Sequence, residues 1–167
     1  MPWRQYFEKD ISLYVSRRHR EAHYEGLADD LLRVIDQPAG SAKDQTVLDF
    51  GCGEALAAPR IAGRVRRLVL CDSSSLVRRN LARYVSRVAN IDVIDTTEAA
   101  GLPPGSVNFI ALNSVLQYLD PSEGRALVAT LSSKLAPGGR LLVGDAIPPG
   151  LGPVQDAAAL LRFGARA

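Results

Sequence analysis

From Thr46 onward the chain alternates short apolar runs with stretches of helical periodicity. The runs "TVLDF", "RLVLC", "IDVID", "SVNFIAL" and "GRLLVGD" each have about the length of a buried strand. Between the second and third, Val77, Leu81, Tyr84, Val85 and Val88 recur at i, i+4, i+7, i+8 and i+11, which predicts a helix packed on a sheet. Between the fourth and fifth, Asp120, Pro121 and Glu123 fit an N-cap, a first-turn proline and a capping-box acid, with Leu127, Val128, Leu131 and Leu135 as the buried face. Gly138 and Gly139 then turn the chain back into a strand. Ahead of the first run, Leu27, Leu31, Val34 and Ile35 place one apolar stripe on a helix over roughly residues 20–36. Trp3, Tyr6, Phe7 and Tyr14, set among charges, mark a further helix or an arm that docks on the body, and "DQPAGSAKDQ" reads as a connector.

Strands separated by helices imply parallel pairing, because a parallel neighbour is reached only by a crossover. The expected fold is α/β: a doubly wound parallel sheet of about five strands, helices on both faces and an N-terminal helical extension. One domain covers residues 1–167, divided into a helical cap and linker (1–45), a core (46–147) and a terminal loop and helix (148–167).

Composition narrows the class. The chain has 167 residues, 47% of them hydrophobic and 23% charged, enough for one globular domain with a sizeable core. The formal net charge of +2 comes without a long basic run, so a nucleic-acid partner is disfavoured. Cys52 and Cys71 each lie beside an apolar strand with no metal-ligand spacing, which suggests buried thiols in a reducing compartment and no metal. No stretch approaches the roughly 18 apolar residues of a membrane span, and the N-terminus lacks a leader's apolar region, so the expected location is cytoplasmic.

The candidate chemistry sits at "VLDFGCGEALAA", residues 47–58. In an open parallel sheet, ligands bind beyond the carboxyl ends of the strands where strand order reverses. Gly51 and Gly53 fall on such an exit loop, where a missing Cβ permits positive φ and close approach of a ligand to the main chain. Pro59 suggests a helix starting near Ala57 or Ala58, whose free N–H groups would face an anion. Asp72 ends the second strand 21 positions after Gly51, a spacing suited to holding both hydroxyls of a ribose; it could instead cap the helix that follows, as Ser74 could. A dinucleotide site is disfavoured by Asp49, which would repel a pyrophosphate, and by Leu56 at the third fingerprint position.

On these residues the chain resembles the class I S-adenosylmethionine-dependent methyltransferases. "LDFGCGEA" is similar to their motif I, "LCDSS" to their ribose-binding acid, "SVNFIALNSVLQYL" to their fourth-strand motif, and "LAPGGRLLVGD" to their turn and fifth strand, over Thr46 to Asp145. The resemblance implies strand order 3-2-1-4-5 and S-adenosylmethionine as cofactor, with S-adenosylhomocysteine as product. It places Gly51, Cys52 and Gly53 against the methionine part with Asp49 nearby, and Asp72 and Ser73 at the ribose. It puts Asp95 or Thr96, with Thr97 and Glu98 as alternatives, at the adenine, and Asn113 toward the transferring methyl. Three departures stand out: Ala55 for a frequent glycine, Asn108 for a frequent acid, and no sixth or seventh strand.

A sulfonium is already activated, so alignment and exclusion of water can suffice, and such a site can work without a dedicated catalytic residue. The weak candidates for a base are Tyr118 and His23, with His19 beside it; the histidines are more readily structural or surface groups. The expected function is methyl transfer to a small-molecule acceptor, the fourth-strand motif being unlike that of amino-methylating nucleic-acid enzymes. A cofactor-binding module without activity of its own is the alternative, and a nicotinamide oxidoreductase ranks below both. The edge of the fifth strand needs cover from the terminal helix, a missing C-terminal region or a homodimer partner.

Overall fold

A computed structural model describes residues 16–36 and 41–144. Ser16 caps α1 (Arg17–Ile35) by accepting the His19 N–H, and a 3₁₀ turn at Ala42–Asp44 leads into β1 (Thr46–Phe50). There follow α2 (Ala58–Ala62), β2 (Arg67–Cys71), α3 (Ser75–Tyr84), β3 (Ile91–Ile94), α4 (Thr96–Ala100), β4 (Val107–Asn113), a 3₁₀ turn at Leu116–Tyr118, α5 (Pro121–Ser132) and β5 (Leu135–Gly144).

The five strands form one all-parallel sheet in the order β3-β2-β1-β4-β5, as the sequence leads one to expect. Strand alternation divides the core between its two faces. Val47, Leu68, Leu70, Phe109 and Ala111 pack with Ala28, Leu31 and Ile35 of α1, Ile61 of α2 and Leu81 of α3. Leu48, Phe50, Val69, Ile110 and Leu112 pack with Ala99 of α4 and Leu131 of α5. Burying each of these large side chains contributes about 1.5–3 kcal/mol.

Helix α1 lies against α2 and is tied to it by Arg60, which reaches Glu25 and Asp29, and by Arg64, 2.8 Å from Asp36. These pairs are exposed and contribute about 0–1 kcal/mol each, so the apolar stripe does most of the docking. Asn108 accepts the Thr46 N–H at 2.8 Å, stitching the start of β4 to the start of β1, a structural role as its position suggests. The pairing of β4 with β5 is interrupted: Val107 faces Leu135 and Phe109 faces Arg140, so Ala136–Gly139 bulge out with Gly138 at φ +75°.

Some elements differ from the sequence reading. Helix α3 ends at Tyr84, with Val85 as C-cap, and Val88 packs from the turn beyond it. Strand β5 starts at Leu135, which the apolar spacing assigns to the preceding helix. The stretch after β3 is helical. Asp95 caps α4 by accepting the Thr97 and Glu98 N–H groups, and Glu98 returns the bond to Asp95, a capping box like that of Asp120 and Glu123. β5 has no outer neighbour among the described residues, and Val143 on it is 40% exposed. The aromatic N-terminal arm and the expected terminal helix lie outside the described residues.

Candidate functional site

The carboxyl ends of β1, β2 and β4 converge where strand order reverses, between β1 and β4, and a cavity of about 690 Å³ opens there. Its wall includes Asp49, Gly51, Cys52, Gly53, Asp72, Ser73, Thr96, Asn113, Tyr118 and His23, so nearly every residue singled out from the sequence faces one space. Asp95 does not line it; its carboxylate holds the first turn of α4 and presents Thr96 instead. Thr97 and Glu98 belong to that helix and also stay off the wall. His19 is exposed on the first turn of α1 and is not part of the wall, whereas His23 stacks edge-to-face with Tyr24, ring centroids 5.2 Å apart.

Asp72 joins the two halves of the sequence motif. One carboxylate oxygen accepts the Gly53 N–H at 3.1 Å and the other accepts the Ser74 N–H at 2.8 Å. Asp72 thus braces the N-cap residue of α3 while its carboxylate lines the cavity, and Ser74 itself caps α3 by accepting the Val77 N–H. Arg78 donates to the main-chain oxygens of Asp72 and Ser73, both at 2.8 Å, and so fixes the turn that carries the acid. A carboxylate can accept about four donors, so this side chain suits a vicinal diol placed in the cavity.

The glycines act differently from the sequence reading. Gly51 and Gly53 have φ of +77° and +57°, as a bare turn requires. The space a Cβ would take is occupied by protein: at Gly51 it would overlap Cγ2 of Val115, and at Gly53 it would lie 2.9 Å from the Tyr24 hydroxyl. The missing side chains admit neighbours from β4's exit loop and from α1, and the loop's remaining side borders the cavity. Ala55, at φ +41°, carries a Cβ in the same left-handed region, which costs roughly 1–2 kcal/mol. Nor does α2 offer a row of free N–H groups: it has five residues, Ala58 N donates to Ala55 O, and Pro59 has no N–H.

Asp49 sits on the face of β1 that α1 covers, and its remaining exposure opens onto the cavity. Burial, and secondarily the charge of Asp72, push its carboxyl up to about 7. A cation placed beside it would restore the ionised form. The Cys52 and Cys71 thiols are buried and unbridged, and burial pushes both well above the ordinary range, which makes them inert. Among the described residues no His, Cys, Asp and Glu cluster could hold a metal ion, and no helix is long and apolar enough to cross a membrane.

Residues that sequence reasoning missed include Tyr24, Tyr84, Val115 and Gln117. The first three touch the glycine turn, and Gln117 on the β4 exit loop has a buried amide oxygen without a hydrogen-bond partner. Such contacts across 28 to 64 positions leave no local mark in a sequence. The helix after β3, by contrast, is signalled by Asp95 and Glu98 at capping-box spacing.

Comparison with known proteins agrees with this geometry. A family model described as "Methyltransferase domain" matches residues 16–158. An uncharacterized methyltransferase of Mycobacterium tuberculosis is 29% identical over 133 residues, covering 77% of this chain and 60% of that protein. A carboxy-S-adenosyl-L-methionine synthase of Dichelobacter nodosus is 30% identical over 126 residues, covering 71% of this chain and 53% of the other. The chain thus spans about half to three-fifths of these relatives' length. In fold it is similar to a Haemonchus contortus phosphoethanolamine N-methyltransferase, solved with phosphoethanolamine and S-adenosylhomocysteine, at TM-score 0.68 and 17% identity over 90% of this chain and 32% of that one. The chain belongs to the methyltransferase-domain family, in its class I S-adenosylmethionine-dependent form.

Proposed function

We propose that this domain holds S-adenosylmethionine across the β1–β4 cleft and transfers its methyl group to a small-molecule acceptor. The observation that carries the reading is Asp72, whose carboxylate lines the cavity while gripping the Gly53 main chain at 3.1 Å. The acid would take the ribose hydroxyls, with Ser73 beside it. Thr96 on the wall is the candidate for the adenine edge, and Asp95 supports it by capping α4. Asp49 would balance the positive charge at the methionine end, and Asn113 would border the acceptor.

Bound there, the sulfonium supplies an activated methyl group for in-line displacement, so the chain's task is to orient and to keep water out. Leu27, Leu31 and Ile61 give the wall an apolar side under α1 that serves the second task. Tyr118 and His23 both reach the wall and remain the candidates for accepting a proton from a neutral nucleophile.

Calorimetry with S-adenosylmethionine, S-adenosylhomocysteine and NAD tests the cofactor assignment. Both adenosyl ligands are expected to bind and NAD is not; binding of NAD alone would overturn it. Replacing Asp72 by Ala removes a charged acceptor and is expected to weaken S-adenosylhomocysteine roughly a hundredfold. A change under threefold would remove Asp72 from the site. A second reading, favoured by the 30% identity to the carboxy-S-adenosyl-L-methionine synthase, makes the sulfonium compound itself the substrate. Mass spectrometry of the recovered nucleoside separates the two, since methyl transfer leaves the demethylated thioether.

A further inference from the structure

The glycine turn is fastened at three successive points by side chains from three other elements. Asp72, after β2, accepts the Gly53 N–H at 3.1 Å, and Tyr24 of α1 accepts the Glu54 N–H through its hydroxyl at 2.9 Å. Tyr84, the last residue of α3, donates its hydroxyl to Leu56 O at 2.6 Å. Between the two tyrosine bonds lies Ala55, buried and left-handed at φ +41°. A glycine would adopt that backbone without strain; an alanine does so only where its surroundings over-determine it.

We propose that Tyr24 and Tyr84 are positioning residues for the adenosyl ligand, gripping residues 54 and 56 so as to hold Ala55 between them in the left-handed shape that a glycine there would adopt without strain. The arrangement of the two rings supports this over simple packing. Tyr84 is 50% exposed, so its ring gains little from burial while its hydroxyl makes a short bond to the turn. Tyr24 is buried, and its hydroxyl lies over Gly53 where even a methyl group would crowd it, so the glycine and the tyrosine are fitted to each other. If the fasteners fail, the turn relaxes toward the right-handed region, Ala55 O leaves the Ala58 N–H, and the main chain that borders the cavity moves with it. Neither tyrosine acts on the reacting atoms; both act through the turn.

The inference rests on the adenosyl reading of the site, and its test separates the two. Tyr24→Phe and Tyr84→Phe each remove a hydroxyl and keep the ring, and each is made in the native and the Ala55→Gly background. Two quantities are read: affinity for S-adenosylhomocysteine by calorimetry, and hydrogen exchange of the Ala58 amide in the ligand-free protein. In the native background each Phe variant is expected to weaken binding roughly three- to tenfold and to speed Ala58 exchange by a similar factor. In the Ala55→Gly background both losses shrink below about twofold, because the strain being resisted is gone. Phe variants that leave both quantities unchanged, or losses of equal size in the two backgrounds, would overturn the proposal. Should the native protein not bind S-adenosylhomocysteine at all, the cofactor reading falls, and the exchange measurement alone still decides whether the tyrosines hold the turn.

Discussion

The two exit loops that border the cavity are built on opposite principles. Residues 51–56, after β1, are tied at every N–H from Gly51 to Ala55: Gly51 and Cys52 to Cys71 O, Gly53 to Asp72, Glu54 to Tyr24 and Ala55 to Cys52 O, with Leu56 O held by Tyr84. Residues 114–119, after β4, bond Ser114 N–H to Gly144 O, Tyr118 to Val115 O and Leu119 to Leu116 O, but carry a left-handed Ser114 at φ +53° and the unpaired buried oxygen of Gln117. A ligand common to a whole family can be met by a fixed surface. The contrast supports reading residues 114–119 as the side on which an acceptor would lie, with the unpaired Gln117 amide oxygen as the polar group available to it.

The largest expected effect comes from attacking the fixed loop where both loops touch. Gly51→Ala forces φ +77° on an alanine and drives its methyl into Val115, for a combined loss of about 2–4 kcal/mol in chemical denaturation. Adding Val115→Ala should relieve the overlap and leave the backbone strain, which measures how far the second loop props the first. Gly53→Ala meets the Tyr24 hydroxyl at a longer 2.9 Å and should cost less.

Next in size is the pH dependence set by Asp49. Because its folded carboxyl lies near 7, above the ordinary carboxylate value, the ligand-free protein should lose stability as pH climbs from about 4 toward 7 and then level off. A cationic ligand favours the ionised form, so affinity for S-adenosylmethionine should rise with pH below 7, by at most about tenfold per unit, and flatten above it. Asp49→Asn should remove that slope from both curves. A slope that persists in the variant would assign it to another group.

The smallest effect tests the loop after β4. Gln117→Leu replaces an amide whose oxygen is buried and unpaired by an apolar group of similar size and should stabilise the free protein by about 1 kcal/mol in thermal or chemical unfolding. Cofactor affinity should stay within about twofold, since the fixed loop is untouched. Destabilisation would show that the amide has a structural role.

The strands and the convergence of Gly51, Gly53 and Asp72 are legible because each rests on a local signal: apolar runs of strand length, glycines at a bend, an acid at a strand end; the strand order comes only through the family resemblance. Asn108 reads as structural, and its bond to Thr46 is that. Legibility fails where tertiary packing decides. Val88 keeps helical spacing with Leu81 and Val85, yet the helix has already ended, since a turn can aim a valine at the same core as well as a helix can. Bare glycines at a bend signal room for a ligand, but a sequence cannot say that Tyr24 and Val115 take that room first. Asp95 shows the reverse case: the family resemblance points it at the adenine, while its spacing to Glu98 announces a helix start, and the local signal is the one the structure follows.

The strand order has a consequence for synthesis. β1 lies between β2 and β4, and β4 begins at Val107, so a chain emerging from the ribosome can assemble β1, β2 and β3 while the other edge of β1 is still bare. Gly51 and Asp72 are present in that nascent half, but Val115 and Asn113 are not, so the cleft does not yet exist to be templated by its ligand. Arrested chains ending before Val107 are expected to aggregate through the β1 edge, and chains extended past Asn113 to escape that fate.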